Sequence, residues 1–198
     1  MKIFRSSRTL TLLCSIVLLS ITAVLPARAC VGKTLHIASA GSIQQDILAN
    51  ALAPLIAERT GTTVKVDRFD NAQAAHDAIG KADLDIIVAY TAQARSEILK
   101  KPAIAENQAL YEAVREEYNQ NLNLVWLAPF GFSDAKLGQA APVARKDTLK
   151  KFPALARLIN KLGDAINETT MAKLEAQVKG GKPAAEVARS FLKENKLI

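Results

Sequence analysis

Cysteine, histidine and tryptophan are all scarce in this chain, with two, two and one copies in 198 residues. Cys14 lies inside an N-terminal apolar run and Cys30 just after it, so no cysteine pair is left to staple the rest of the chain. That excludes a disulfide-framed fold and paired-cysteine metal sites. The histidines, His36 and His76, fall in a strand-like and a helix-like stretch, with no second ligand or nucleophile at a recognisable spacing. A phosphate-cradling glycine loop and a Gly-x-Ser-x-Gly elbow are both missing. Asp83 and Asp85 stand two apart in a strand-like segment, so they point to opposite faces and form no carboxylate pair. His76 beside Asp77 has the makings of a general base, but a surface histidine is the plainer reading. A non-enzymatic protein without metal or cofactor is therefore expected. Internal repeats and low-complexity tracts are missing as well.

What is present begins with the N-terminus. "MKIFRSSR" is a short basic head (Lys2, Arg5, Arg8), and "TLTLLCSIVLLSITAVL" is an uncharged apolar core. "PARA" then ends in the small-x-small pattern Ala27-x-Ala29. The apolar core falls short of the roughly 20 residues a spanning helix needs. Residues 1–29 therefore read as a secretory signal, and residues 30–198 as one mature domain exported to the periplasm. Cys30 then becomes the first mature residue, which leaves lipid anchoring through Cys30 as the alternative; membrane attachment is expected only in that case. Arg28 is a poor fit to a lipoprotein pattern, and simple cleavage is preferred. The segment holds four basic residues (Lys2, Arg5, Arg8, Arg28) and no acid, so its loss takes the net charge from +7 to +3. The remaining Lys and Arg are interleaved with Asp and Glu, which gives no nucleic-acid footprint.

Periodicity sets the architecture. Leu35 to Ala38 reads as a strand entering the small-residue turn "SAGS". Ile43, Ile47, Leu48, Leu52, Leu55 and Ile56 recur at helical spacing up to a stop at Gly61. "TTVKVDRF" alternates as a half-buried strand, and "NAQAAHDAIG" is a helix capped by Asn71 and ended by Gly80. "LDIIVAY" is apolar without alternation, as in a strand buried on both faces. "ENQALYEAVREEYNQ" is helical and "LNLVWLAP" is a strand. The order β-α-β-α-β-α-β predicts an α/β, doubly wound, mainly parallel sheet. "PFGFSDAKLGQAAP" reads as a loop, and after Pro142 three helical segments follow without a strand, a helical C-terminal wrap with Pro183 at the first turn of its last helix.

In doubly wound sheets ligands bind beyond the carboxyl ends of the strands. Three stretches meet that description: "ASAGSIQQ" with Ser39 and Ser42, "AYTAQ" with Tyr90 and Thr91, and "APFGFSD" with Phe130 and Phe132. The serines and the helix start suit a polar or anionic group, and the aromatic rings suit a cation. Each alone has a blander explanation, a cap for the serines and packing for the tyrosine.

Taken together these stretches resemble the glycine betaine/choline (quaternary-ammonium) class of ABC-transporter substrate-binding proteins. "ASAGSIQQDIL" is similar to that family's opening strand and turn, and keeps Ser39, Gln45, Ile47 and Leu48. "AIGKADLDIIVAYTAQ" keeps Ala78, Asp85, Tyr90 and Thr91, and "LVWLAPFGFSD" is similar to the family's tryptophan strand and turn. "APVARKDTLKKFPALARLINKLGDAINETTMAKLEAQV" and "PAAEVARSFLKENKLI" resemble its closing helices. The resemblance implies a type II periplasmic-binding-protein-like fold, a small quaternary-ammonium solute as ligand and an ABC permease as partner. It implies ligand contacts from Ser39, Gln45, Tyr90, Thr91, Gln93, Phe130 and Phe132. It also marks departures. The family's second α/β lobe, between the tryptophan strand and the return strand, is missing, so a single lobe is expected. Ala40, Ala89 and Ala92-Gln93 replace the family's lysine, acid and Gly-Thr. With one partly wet ring left, at about 0.5–2 kcal/mol per cation–π contact, weak binding is expected. The alternative is an exported interaction module or homodimer that has lost solute binding and uses an exposed apolar face around Phe130 and Phe132.

Overall fold

A computed structural model describes residues 34–198. The signal segment and Cys30 lie outside the described residues. Strand β1 (Leu35–Ser39) leads into helix α1 (Ile43–Thr60), then β2 (Val64–Arg68), α2 (Ala72–Gly80) and β3 (Ile86–Tyr90). A short helix α3 (Thr91–Gln93) runs into a π-helical turn over Ala94–Ile98, followed by α4 (Asn107–Asn121) and β4 (Leu124–Trp126). The two-residue β5 (Ser133–Asp134) and the long β6 (Gly138–Arg145) form a hairpin. Helices α5 (Lys146–Lys151), α6 (Leu155–Ala165), α7 (Glu168–Lys179) and α8 (Ala184–Glu194) close the chain.

The signals at the helix ends act as the sequence suggests. Gly61 takes a left-handed φ of 69° and its N–H reaches the carbonyl of Ala57, a turn only glycine adopts cheaply. The Asn71 side chain accepts the N–H of Ala74 and starts α2. Pro183 stands at the N-cap of α8, one place before the helix, where its missing N–H costs nothing.

The sheet has the order β2-β1-β3-β6-β4. β1 pairs in parallel with β2 and β3, while β6 pairs antiparallel with both β3 and β4. Four strands therefore run one way and β6 runs back between them, so the architecture is a single α/β lobe with a mixed sheet and a helical wrap. β6 corrects the loop expected over residues 129–142. Its sequence, GQAAPVAR, is masked by small residues and by a proline that argues against a central strand. The proline is tolerated for a local reason. Pro142 accepts the N–H of Leu127, one residue past the end of β4, so its absent donor faces no ladder partner.

β3 separates two cores, its side chains alternating between them as strand geometry requires. Ile86, Val88 and Tyr90 join the aliphatic core of α1, α6, α7 and α8. Ile87 and Ala89 join a second core with Tyr111, Tyr118 and Trp126 against α2 and α4. His76, expected on the surface, is buried in that second region. Its Nδ1 faces the carbonyl of Ala72 at 2.8 Å and its Nε2 the hydroxyl of Tyr118 at 2.8 Å. Asp77 bonds Gln73 instead, which leaves no histidine–aspartate dyad.

Candidate functional site

The carboxyl ends of β1 and β3 meet the N-terminus of α1, the start of α3 and the β5–β6 hairpin. At β1, Ser39 is buried and its hydroxyl donates to the carboxylate of Asp46 in the first turn of α1. Asp46 also accepts Nη2 of Arg68 at 3.0 Å. Ser42 caps α1 by accepting the N–H of Gln45 at 3.1 Å. The Gln45 side chain is buried and donates to the carbonyl of Val88 at 3.0 Å, tying α1 to β3. Ser39 and Gln45 are thus brought to one edge, and both are already bonded within the protein.

Tyr90 does not present the partly wet ring expected of it. Only 1% of the residue is exposed, because its face of β3 packs against α1. Its hydroxyl donates to Oε1 of Gln44. Burial pushes that hydroxyl well above the ordinary tyrosine value. Gln44 in turn donates to Oε1 of Glu175 at 2.6 Å, and Lys179 reaches the other oxygen of Glu175 at 2.7 Å. Burial pulls the Glu175 carboxyl upward, but its bonds to Lys179 and Gln44 hold it below the ordinary glutamate value. Phe130 and Phe132 are 0% and 4% exposed, with ring centroids 6.2 Å apart, so they form core rather than open cage walls.

The start of α3 is occupied by the hairpin. The carbonyl of Leu137 accepts the N–H groups of Ala92 at 2.9 Å and Gln93 at 3.2 Å. Thr91 is 1% exposed, and its hydroxyl oxygen accepts the N–H of Gln139 at 3.0 Å. Gly138 has φ +85°, and a Cβ there would fall 2.5 Å from the Thr91 hydroxyl oxygen, so glycine alone fits. Asp134 holds the turn by accepting the N–H groups of Lys136 at 2.8 Å and Leu137 at 2.9 Å. Those two bonds keep its carboxyl below the ordinary aspartate value.

Beside the hairpin lies an open groove of about 410 Å³, lined by Gln44, Phe132 and Ser133 on one side. The other side includes Glu168, Met171 and Glu175, which repeat at helical spacing on one face of α7. Sequence reasoning missed Gln44, Asp134 and Glu175. Asp134 had a readable signal, since an aspartate four residues before a glycine in "SDAKLG" is turn chemistry. Gln44 and Glu175 had none, because 131 residues separate them in sequence. Among the described residues no group of three or more His, Cys, Asp or Glu side chains could hold a metal ion.

This arrangement defines the class: an α/β lobe of the periplasmic solute-binding architecture, with its polar groups gathered where the parallel strands end. Two solved structures share it. The crystal structure of a glycine betaine/carnitine/choline ABC transporter aligns with a TM-score of 0.76 at 17% identity, over 83% of this chain and 98% of that one. Apo YehZ from Escherichia coli aligns with a TM-score of 0.76 at 14% identity, over 84% of this chain and 100% of that one. At such identities they speak to the fold. No curated protein matches. The chain belongs to the family described as the substrate binding domain of ABC-type glycine betaine transport systems (OpuAC), which matches residues 33–137 and 132–194. The two matched segments overlap over residues 132–137, in the β5–β6 hairpin.

Proposed function

We propose that the protein is an exported, non-enzymatic substrate-binding component of an osmoprotectant uptake system of the glycine betaine/choline type, reduced to one lobe and working with an ABC permease. The observation that carries this reading is the accessible groove at the carboxyl end of the sheet, in a chain that belongs to the substrate-binding family from residue 33 to 194. Gln44, Ser133, Glu168 and Glu175 give it oxygen acceptors, and the edges of the otherwise buried Phe132 and Met171 side chains border it. Carboxylates beside apolar surface suit a methylated ammonium, which carries charge but donates no hydrogen bond. The protein-interaction reading calls for an exposed apolar face at Phe130 and Phe132; both are buried, and among the described residues the exposed large apolar side chain is Leu122.

One lobe cannot close over a solute and exclude water, so a Kd near millimolar is expected, about −4 kcal/mol. Calorimetric titration of the purified protein with glycine betaine and with choline measures it. No saturable heat up to about ten times that concentration would overturn the proposal.

A further inference from the structure

The groove that carries the proposed function is uneven in charge. Among its described lining residues Lys179 is the sole cation, and Glu168 and Glu175 line it from the same helix. Asp134 adjoins Ser133 on the opposite bank, near enough for its charge to act on Glu175. The one cation is already engaged, with Nζ of Lys179 at 2.7 Å from Oε2 of Glu175. The other oxygen of Glu175 takes the Gln44 amide at 2.6 Å, and these two bonds keep Glu175 ionised. The N–H groups of Lys136 and Leu137 do the same for Asp134. Glu168 is exposed and makes no ion pair among the described residues. Glu168 and Glu175 stand about two turns apart on α7, roughly 10 Å along its axis. Ala172 and Ala176 are the small exposed side chains on that face, so the helix leaves room beside both carboxylates.

We infer that this groove takes a methylated monocation such as choline in preference to the dipolar glycine betaine, and that Glu168 and Glu175 set the choice. This rests on the solute-binding reading above, and it runs against the ligand in the family's description. The two compounds share a trimethylammonium group, so contacts at that end cannot separate them. They differ at the other end, a neutral hydroxyl against a carboxylate. The hydroxyl can donate to an acceptor oxygen of the groove and adds no charge there. The ligand carboxylate meets Glu168, Glu175 and Asp134 as like charges, a repulsive element of the kind that gives specificity. To gain a cation it must draw Lys179 away from Glu175, which exchanges one ion pair for another. The chain past residue 29 is net positive, so its overall field repels choline and any preference for choline has to arise locally.

Calorimetric titration with choline and with glycine betaine at low ionic strength measures the ratio of their dissociation constants. Choline is expected to bind about tenfold more tightly, a difference of about 1.4 kcal/mol. Glu168→Gln and Glu175→Gln should each cut the ratio to about threefold or less by weakening choline, and Lys179→Gln should widen it by strengthening choline. Glu168 is exposed, so its variant serves even if Glu175→Gln fails to fold. Glu112, an exposed acid on α4 across the sheet, is the control, and Glu112→Gln should leave the ratio unchanged. If glycine betaine binds as tightly as choline, the selectivity is overturned and the solute-binding reading stands. A choline preference that survives both groove variants, or falls as far with Glu112→Gln, arises outside the groove and overturns the inference. If neither compound binds, the solute-binding reading fails and the selectivity falls with it.

Discussion

The two faces of the sheet solve the same burial problem with different chemistry. The face under α1 is aliphatic, with Leu35, Ile37, Ile86 and Val88 packed on Ile47, Leu48 and Leu52. Its polar groups sit at the edge, where the Tyr90 hydroxyl meets Gln44 and Gln45 meets the Val88 carbonyl. The face under α2 and α4 is aromatic and places its polar atoms inside. Trp126 meets Tyr111 and Tyr118 edge-on, with centroids at 6.2 and 5.4 Å, and Tyr118 meets His76 in the same manner at 5.7 Å. Tyr111 donates to the Leu127 carbonyl at 2.8 Å, whereas the Trp126 indole N–H is buried with no hydrogen-bond partner among the described residues. Burial of aliphatic area is non-directional, but edge-on rings and buried hydrogen bonds fix orientation. The aliphatic face should therefore respond to lost volume, and the aromatic face to lost hydrogen bonds and to protons.

Tyr90 gives the largest expected effect, because it belongs to the aliphatic core although its hydroxyl marks the site. Tyr90→Ala should destabilise the protein by about 3–5 kcal/mol, the cost of truncating a buried aromatic residue. Tyr90→Phe should cost only about 1 kcal/mol, since Gln44 keeps its bond to Glu175. Urea denaturation of both variants measures the contrast. A Tyr90→Ala midpoint equal to that of the unaltered protein would show that the ring is not core, and would return it to the role of an open cage wall.

His76 is the next test, on the other face. Burial lowers its pKa below the ordinary 6.5, while the Ala72 carbonyl and Asp77 work in the opposite direction. The folded state thus keeps His76 neutral at pH values where the unfolded chain protonates it. Unfolded molecules bind more protons in that window, so stability rises with pH up to about 6.5 and levels off above it. Falling pH below 6.5 should remove stability at up to about 1.4 kcal/mol per pH unit, until the folded state also takes the proton. His76→Gln should be less stable at neutral pH yet lack this slope below about pH 6.5. Equal slopes in the two proteins would mean that the His76–Tyr118 pair is open to solvent.

Most of the fold was legible because its signals are local. The 3.6-residue repeat of α1, the Gly61 stop and the Asn71 cap each depend on a few neighbouring residues. β6 was hidden because its burial is imposed by two flanking strands, and Gly138, Ala140, Ala141 and Pro142 carry little strand preference of their own. The site was legible in place and misleading in exposure. Ser39, Gln45, Tyr90 and Thr91 do gather where the strands end, yet each is turned inward. Whether a tyrosine at a strand end is wet depends on what packs across it, here α1 and the hairpin, and no local pattern in "VAYTAQ" records that. His76 failed for the same reason: a histidine beside an aspartate looks solvated until a tyrosine 42 residues away covers it.

The smallest effect lies in the turn that carries α2 into β3 on the aromatic face. Ala82 holds a left-handed φ of 68°, its N–H bonded to the Ile79 carbonyl at 3.1 Å and its own carbonyl accepting Nη1 of Arg145 at 3.0 Å. An L-residue pays about 1–2 kcal/mol for that conformation. Glycine would avoid the strain and lose part of the gain, about 0.4–1 kcal/mol, to the freedom it adds to the unfolded chain. Ala82→Gly should therefore stabilise the protein by about 0.5 kcal/mol. Two residues earlier the case is reversed. Gly80 is the last residue of α2 and open space surrounds the position of its absent Cβ, so Gly80→Ala should add up to about 0.5 kcal/mol. The chain places its glycine where alanine fits and its alanine where glycine fits, so exchanging the two should raise the urea midpoint without changing the denaturant slope. A lower midpoint for Ala82→Gly would mean that the Ala82 methyl group makes a contact worth more than the backbone strain, and that this turn is packed rather than merely exposed.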